Sequence, residues 1–593
     1  MTLTAFDWSV IAAYFLFNLG IGIYYARRAG RSTQEFFLSG RDVPWWLAGT
    51  SMVATTFAAD TPLVVTGLVA SYGIAGNWLW WSMAMSGIMT VFLYARLWRR
   101  AGVMTDVEFA EVRYSGRPAA VLRGFRALYL GIPINCIVLG WVNLAMLKIL
   151  MATLGLDRDA ALLVLLGILA FTAFYTTISG LWGVLVTDLF QFVLKMAMVI
   201  LLAVLAVRAV GGIDALQMKI ASLDAARGVG SRLTFFPARG SAWMPAITFF
   251  VYLAVNWWAS WYPGAEPGGG GYVAQRIFSA KDERQGVLAT LWFNVAHYAL
   301  RPWPWILTAL ATIVLYPNLV DKESGYIKAL VDPAVFPPAL RGFMLAAFAA
   351  AYMSTIGTQL NWGASYIIND WYRRFVKRGA TERHYIVASQ LCTVGLTAIS
   401  IFVTLHLDTI GGAWKLLLVT GAGTGTVLLL RWYWWRINAW SEVSAMIAAA
   451  MVSLTLQTRW HWNSDDPEQF AWLMLVTVGL TTIAWVFVTF ATAPEPMETL
   501  VAFYRRVRPA GPGWAPVAAV AGVPPIRESL IRSLAAWVLG CVLIYALLFG
   551  IGSLILGPRL VGMGLIVAAL AAGALIFKVF EPEPEAGAYG SVL

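Results

Sequence analysis

Asp60 is a carboxylate set in the middle of an otherwise apolar stretch, residues 44–72, PWWLAGTSMVATTFAADTPLVVTGLVASY. A charge at that depth in a membrane is costly and points to function unless a buried base neutralises it. Thr55, Thr56, Thr61 and Pro62 surround it. Proline lacks an N–H, and its ring crowds the carbonyl four residues back, so a helix through this stretch is expected to open near Ala58. Opened backbone in a bilayer is tolerated where it lines a cavity or a ligand site. The chemistry on offer is cation binding by freed carbonyls and capture of polar groups by freed N–H groups.

A second stretch, residues 249–276, repeats the device as FFVYLAVNWWASWYPGAEPGGGGYVAQR. Four glycines with Pro263 and Pro267 cannot continue a helix. This span is also expected to break part-way and to resume over Tyr272–Arg276. Two further sets of oxygens could complete a site. Thr187, Asp188 and Gln191 stand on one helical stretch, with positions 188 and 191 sharing a face. Ser354 and Thr355 are adjacent, followed by Thr358 and Asn361. Hydroxyls with backbone carbonyls suit a hard cation such as sodium, although such hydroxyls more often bond back to their own helix. Asn294, His297 and Arg301 are spaced about one turn apart, as pathway residues or as helix-packing ones.

The elements that position these residues are membrane spans. The chain of 593 residues is 60% hydrophobic and 12% charged, with mean hydropathy +0.70. Apolar runs of about 20 residues, the length of a transmembrane helix, recur throughout. They read as about fifteen spans: 7–26, 44–72, 76–97, 127–153, 160–179, 183–207, 244–262, 285–315, 339–370, 385–405, 411–430, 440–457, 469–492, 533–556 and 560–579. The net charge of +11 does not indicate nucleic acid, because the basic residues gather in short loops such as Arg27, Arg28, Arg31 and Arg41. That bias puts the N-terminus outside and the C-terminus in the cytoplasm. Cys136, Cys392 and Cys541 fall within spans as packing residues. No His–carboxylate cluster or nucleophile motif suggests an enzyme, and no cofactor motif appears.

Spans 2 and 7 are both interrupted and lie five apart, which gives them opposite directions across the bilayer. Interrupted segments at matching places in two inverted halves mark a transporter's binding site. The expected organisation is therefore a five-plus-five inverted repeat. Residues 1–43 hold a peripheral span and loop, 44–208 the first repeat, 209–243 an extracellular loop and 244–432 the second repeat. Residues 433–593 hold accessory spans, a proline-rich cytoplasmic linker at about 494–528 and a tail from 581 of disordered character.

Five segments in order resemble the sodium/solute symporter family, which includes sodium-coupled sugar, proline and sialic acid transporters. They are FFLSGRDVPWW, TDVEFAEVRY, SGLWGVLVTDLFQ, GYVAQRIFSAKDE and AAYMSTIGTQLN, spread over roughly residues 35–435. The resemblance implies a LeuT-like fold and symport of sodium with a small polar solute. It implies a sodium cage made by the carbonyls of Ala54, Phe57 and Ala351 with the hydroxyls of Ser354 and Thr355. Asp60 and Asp188 match acidic positions tied to ion coupling or a second sodium. The solute pocket departs from the family: PGAEPGGGG replaces a more polar helix, and Asn294 stands where sugar transporters place a lysine. Thr61, Trp78, Trp81, Asn256, Trp257, Trp261, Tyr262, Glu266 and Asn294 are the solute-contact candidates. Coupling to protons through Asp60 or Asp188 is the alternative, and a solute sensor signalling through the 494–528 linker is a more distant one.

Overall fold

The computed structural model describes residues 3–228, 230–260, 264–407, 421–523 and 528–580. Half of the expected span at 411–430 lies outside these residues, and Trp261, Tyr262 and the tail from 581 lie wholly outside them. Among the described residues every regular element is a helix, apart from one parallel backbone bridge between Val43 and Ala280.

The first broken span follows from its sequence. Helix Trp45–Thr56 and helix Thr61–Tyr72 meet at 58°. Phe57 leaves helical geometry at φ −92°, ψ 66°. Pro62 then sits in the first turn of the second helix, where its missing N–H costs nothing. The Asp60 carbonyl restarts the ladder by accepting from the N–H groups of Leu63 and Val64, both at 3.0 Å.

The second broken span also divides where its glycines predict. An apolar helix, Ala246–Ala259, gives way to a buried loop, and helix Gly271–Ser279 follows. Side chains from the third span hold that loop. Trp98 Nε1 donates to the Gly268 carbonyl at 2.8 Å and Ser86 Oγ to the Ala265 carbonyl at 3.2 Å. Gly269 has φ +83°, and a Cβ there would lie 2.7 Å from Thr90 Cγ2. Only glycine meets both conditions without strain.

Among the described residues, eleven helices are long and apolar enough to cross a membrane, or twelve with the bent pair counted as one span. The described residues do not confirm the fifteen expected from hydropathy, of which the span at 411–430 lies half outside them. One reason is the continuous run Arg158–Val210, which takes in the fifth and sixth expected spans and is interrupted by Gly180 at φ 57°, ψ −157°. Its 53 residues would extend about 80 Å if straight, far beyond a core of about 30 Å. The seventh span is another reason, since its helix is short.

Burial separates a centre from a periphery. In Pro338–Val376, 83% of the most apolar window is buried, against 11% in Ala5–Ala29 and 22% in Arg559–Val579. Span 9 is thus the central post, rich in the small residues that permit close helix approach. The 494–528 segment, read as a linker, contains helical structure. Helices Met497–Val507 and Ala515–Ala521 fold against the protein, with Trp514 buried. Glu528 pairs with Arg96 and Arg100, and Glu495 accepts from the backbone and hydroxyl of Ser115.

The bridge at Val43 joins the flanks of the two broken spans. The Val43 N–H donates to the Ser279 carbonyl at 3.0 Å, and the Lys281 N–H donates to the Val43 carbonyl at 3.1 Å.

Candidate ion and solute site

Opening the first broken helix turns the Ala54 and Phe57 carbonyls inward. Both are met by Lys195 from span 6, whose Nζ donates to Ala54 O at 2.8 Å and Phe57 O at 3.2 Å. The ammonium also lies 5.1 Å from the Phe57 ring centre, within cation–π range. Lys195 is 1% exposed.

Span 9 supplies the facing wall. Thr355 Oγ1 lies 2.7 Å from the Thr55 carbonyl oxygen and 3.2 Å from that of Ala351. Ser354 Oγ donates to Asp188 Oδ1 at 2.7 Å. Of the five residues expected to form a sodium cage, Ala54 and Phe57 thus share Lys195, Thr355 meets the Ala351 and Thr55 carbonyls, and Ser354 meets Asp188. What differs is that a lysine side chain stands on two of the carbonyls, and the Ser354 proton is directed to Asp188.

Asp188 anchors the floor of this region. Ser51 Oγ donates to its other oxygen, and Arg276 Nη2 stands 3.9 Å away. Arg276 comes from the resumed half of the second broken span and also donates to Ser51 Oγ and to Thr358 Oγ1, the latter at 2.7 Å. Asp188 and Arg276 are fully buried. The carboxylate thus ties spans 2, 6 and 9 together, with span 7 reached through Arg276.

Beside the cage lies a cavity with about 80 Å³ open to water-sized molecules. Asp60 and Thr61 line it from the break, Arg301 and His297 from span 8, Trp141 from span 4 and Thr355 from span 9. Thr355 therefore forms a wall of both compartments. Asp60 is 2% exposed, and its Oδ1 has no hydrogen-bond partner among the described residues. Arg301 Nη1 donates to Thr56 Oγ1 at 3.0 Å, and its Nη2 lies 3.3 Å from His297 Nε2. A guanidinium only donates, so Nε2 accepts and the ring proton resides on Nδ1, which faces Thr56 Oγ1 at 2.9 Å.

Several solute-contact candidates lie elsewhere. Trp78 donates to the Phe235 carbonyl at 2.8 Å and stacks on Tyr545. Trp81 packs edge-on to Phe549. Both belong to an aromatic packing cluster, and Trp80, between them, reaches the cavity instead. Asn256 accepts from Ser260 Oγ, while Trp257 donates back to the Leu253 carbonyl and lies against Trp537. Glu266 accepts from the Gly264 N–H at 3.2 Å and closes the glycine loop. Asn294 donates to the Thr290 carbonyl and lies with Glu266 on a separate void of about 10 Å³.

Lys195 was missed by sequence reasoning, although a signal was present. It lies mid-span, and seven residues from Asp188 is two helical turns, which puts both on one face.

Comparison with known proteins places this geometry in context. The model of the sodium:solute symporter family matches residues 36–449. The mouse protein solute carrier family 5 member 4B is 24% identical over 431 residues, 67% of this chain and 63% of its own length. A sodium/glucose cotransporter of Vibrio parahaemolyticus is 23% identical over 517 residues, 83% of this chain and 91% of its own. Among solved structures, a sodium-coupled sialic acid symporter in a substrate-bound outward-open state superposes with a TM-score of 0.67 at 19% identity. That match covers 83% of this chain and 99% of the other, and it identifies the fold.

Proposed function

Because the chain belongs to the sodium:solute symporter family, an integral membrane family of transporters and not of enzymes, we propose that it is a secondary active transporter. It couples sodium entry to uptake of a small polar metabolite, a sugar, an amino acid or an organic acid. The observation that carries this reading is the shared wall: Thr355 borders both the carbonyl cage and the polar cavity. A cation that draws span 2 to span 9 therefore also shapes the solute pocket. The two broken spans close over both compartments, and the five-plus-five halves rock to open the cytoplasmic side. The pocket carries a carboxylate at Asp60 and a guanidinium at Arg301, which suits a solute bearing both hydrogen-bond donors and acceptors. The names of the relatives, cotransporters of sodium with glucose and with sialic acid, support a polyhydroxylated or carboxylated solute. Sodium, the solute and the bilayer are then the partners, in a plasma (inner) membrane with the N-terminus outside and the C-terminus in the cytoplasm.

A second reading, proton coupling, draws support from the ammonium of Lys195 on the cage carbonyls. The deciding experiment is a screen of metabolites for thermal stabilisation of the purified protein, followed by uptake of each hit into proteoliposomes. Uptake that needs an inward sodium gradient supports sodium symport. Uptake that persists in potassium and follows an imposed pH gradient supports the proton reading. Binding without uptake under either gradient makes the protein a sensor.

A further inference from the structure

Helix Met497–Val507 lies in the chain between two helices long and apolar enough to cross a membrane, Pro467–Ala491 and Leu530–Leu556, and so sits at one face of the bilayer. It buries Leu500, Phe503 and Val507 against the protein and leaves Ala502, Arg505 and Arg506 exposed. Between it and the start of helix Gly116–Tyr129 runs a groove of about 790 Å³, against about 80 Å³ for the cavity at Asp60. We propose that this groove binds a phosphate-bearing anion, the headgroup of an anionic phospholipid or a soluble phosphate ester, held by Arg117, Arg374 and Arg506.

The three arginines reach the groove from three separate elements: Arg117 from the first turn of helix Gly116–Tyr129, Arg374 from the end of span 9 and Arg506 from helix Met497–Val507. Like charges gathered around one space repel each other unless an anion lies among them. The carboxylates at hand are already engaged. Glu111, the acidic residue that lines the groove, accepts from Arg374 Nε at 3.0 Å and from Arg123 Nη1 at 2.7 Å. Glu495 is taken up by the backbone and hydroxyl of Ser115. Arg117 and Arg506, by contrast, make no hydrogen bond or ion pair among the described residues. A guanidinium presents its donors in a planar fork that matches two oxygens of a phosphate. Val112, Ala502 and Phe503 give the groove an apolar side, which suits the carbon skeleton that such a phosphate is esterified to. The inner wall also leads to the second broken span. A few residues before Glu111, Thr105 Oγ1 donates to Asp370 at 2.6 Å, and Asp106 accepts from the Gly271 N–H at 3.3 Å, where that span resumes. An occupant gripped from three elements braces the helix Met497–Val507 and this wall against the rest of the protein, so binding reads out as stabilisation.

The test is the thermal unfolding midpoint of the purified full-length protein in detergent. One arm adds dioleoylphosphatidylglycerol against dioleoylphosphatidylcholine, and the other adds glycerol phosphate, without lipid, against sodium chloride of equal ionic strength. At least one of the two phosphoanions is expected to raise the wild-type midpoint saturably by a few degrees over its control. Arg117→Gln combined with Arg506→Gln is expected to lose at least half of that rise. Arg383→Gln combined with Arg532→Gln removes the same charge from two exposed arginines outside the groove and is expected to keep it. If the groove pair does not fold, Ala502→Phe, which fills the space without altering charge, is expected to show the same loss. A rise in the lipid arm alone assigns the groove to a phospholipid headgroup. A rise that glycerol phosphate also produces, or produces alone, and that the groove variant loses, assigns it to soluble phosphate esters as well or instead. Equal rises in wild type and groove variant, or an equal loss in the Arg383 and Arg532 pair, overturn the proposal, because the attraction is then general to the basic surface. So does a wild-type midpoint that neither phosphoanion moves.

Discussion

Asp188→Asn removes the charge that Ser51, Ser354 and Arg276 all face. The amide keeps the shape, and the two serine hydroxyls can rotate to satisfy it, so few hydrogen bonds are lost. What disappears is the charge opposite Arg276 and Lys195, both of which act on this carboxylate. At 3.9 Å and an effective dielectric of about 20, the Arg276–Asp188 attraction alone is about 4 kcal/mol. Breaking a buried pair by removing one partner typically costs about 3–5 kcal/mol, so the two estimates agree. Equilibrium unfolding in mild detergent, followed by tryptophan fluorescence, is expected to record a loss of that order. The control is Asp188→Asn combined with Lys195→Met, which removes one positive charge together with the negative one. The combined variant is expected to recover at least half of the loss. A single variant within about 1 kcal/mol of wild type, or strict additivity of the two changes, would refute the argument that charge balance holds these four spans together.

Three other outcomes are expected. Asp60→Asn should weaken solute binding at least tenfold while leaving the unfolding midpoint within a few degrees of wild type, because Asp60 lines the cavity and its Oδ1 has no hydrogen-bond partner among the described residues. Gly269→Ala forces a Cβ to within 2.7 Å of Thr90 Cγ2 at a positive φ. It should destabilise the fold by about 1–3 kcal/mol, with Gly240→Ala, which is also at positive φ but in open space, as the control for backbone strain alone. Burial pushes Glu111 up, but hydrogen bonds from Arg374 and Arg123 outweigh it and hold the carboxyl below its usual 4.5. A depressed folded value means the contribution is complete above pH 4.5 and fades as pH falls through the folded value. Unfolding midpoints measured from pH 7 down to pH 3 should therefore fall less steeply in Glu111→Gln than in the wild type.

Both helix breaks were legible because proline and glycine act locally. Pro62 and the run Gly268–Gly271 disrupt a helix whatever surrounds them, and both breaks lie where those residues put them. The sodium-cage assignment came from the family resemblance; what the break itself made legible was only that carbonyls such as those of Ala54 and Phe57 lose their helical partners there. The solute candidates fared worse because tryptophan serves packing and binding equally well. Trp78 and Trp81 went to an aromatic cluster with Tyr545 and Phe549, while Trp80 faces the cavity, a choice fixed by helix rotation rather than residue type. Lys195 was the costlier oversight. A lysine at the centre of a span demands a partner, but its partners are backbone oxygens more than a hundred residues earlier, and no spacing pattern records them. The helices within 494–528 were not legible for the opposite reason: its prolines suggest open chain, and its contacts reach distant residues such as Arg96 and Ser115 that no local pattern records.

The backbone bridge at Val43 has a mechanical consequence. It fastens the entrance of the first interrupted span to the exit of the second through two backbone hydrogen bonds. Backbone bonds do not change rotamer, so these two bonds hold the near ends of the half-helices Trp45–Thr56 and Gly271–Ser279 at a fixed spacing. An arrangement in which one has tilted and the other has not requires that hinge pin to break. On the transport reading proposed above, half-tilted arrangements are the ones through which an ion would slip without its cargo, and the pin would work against such leakage.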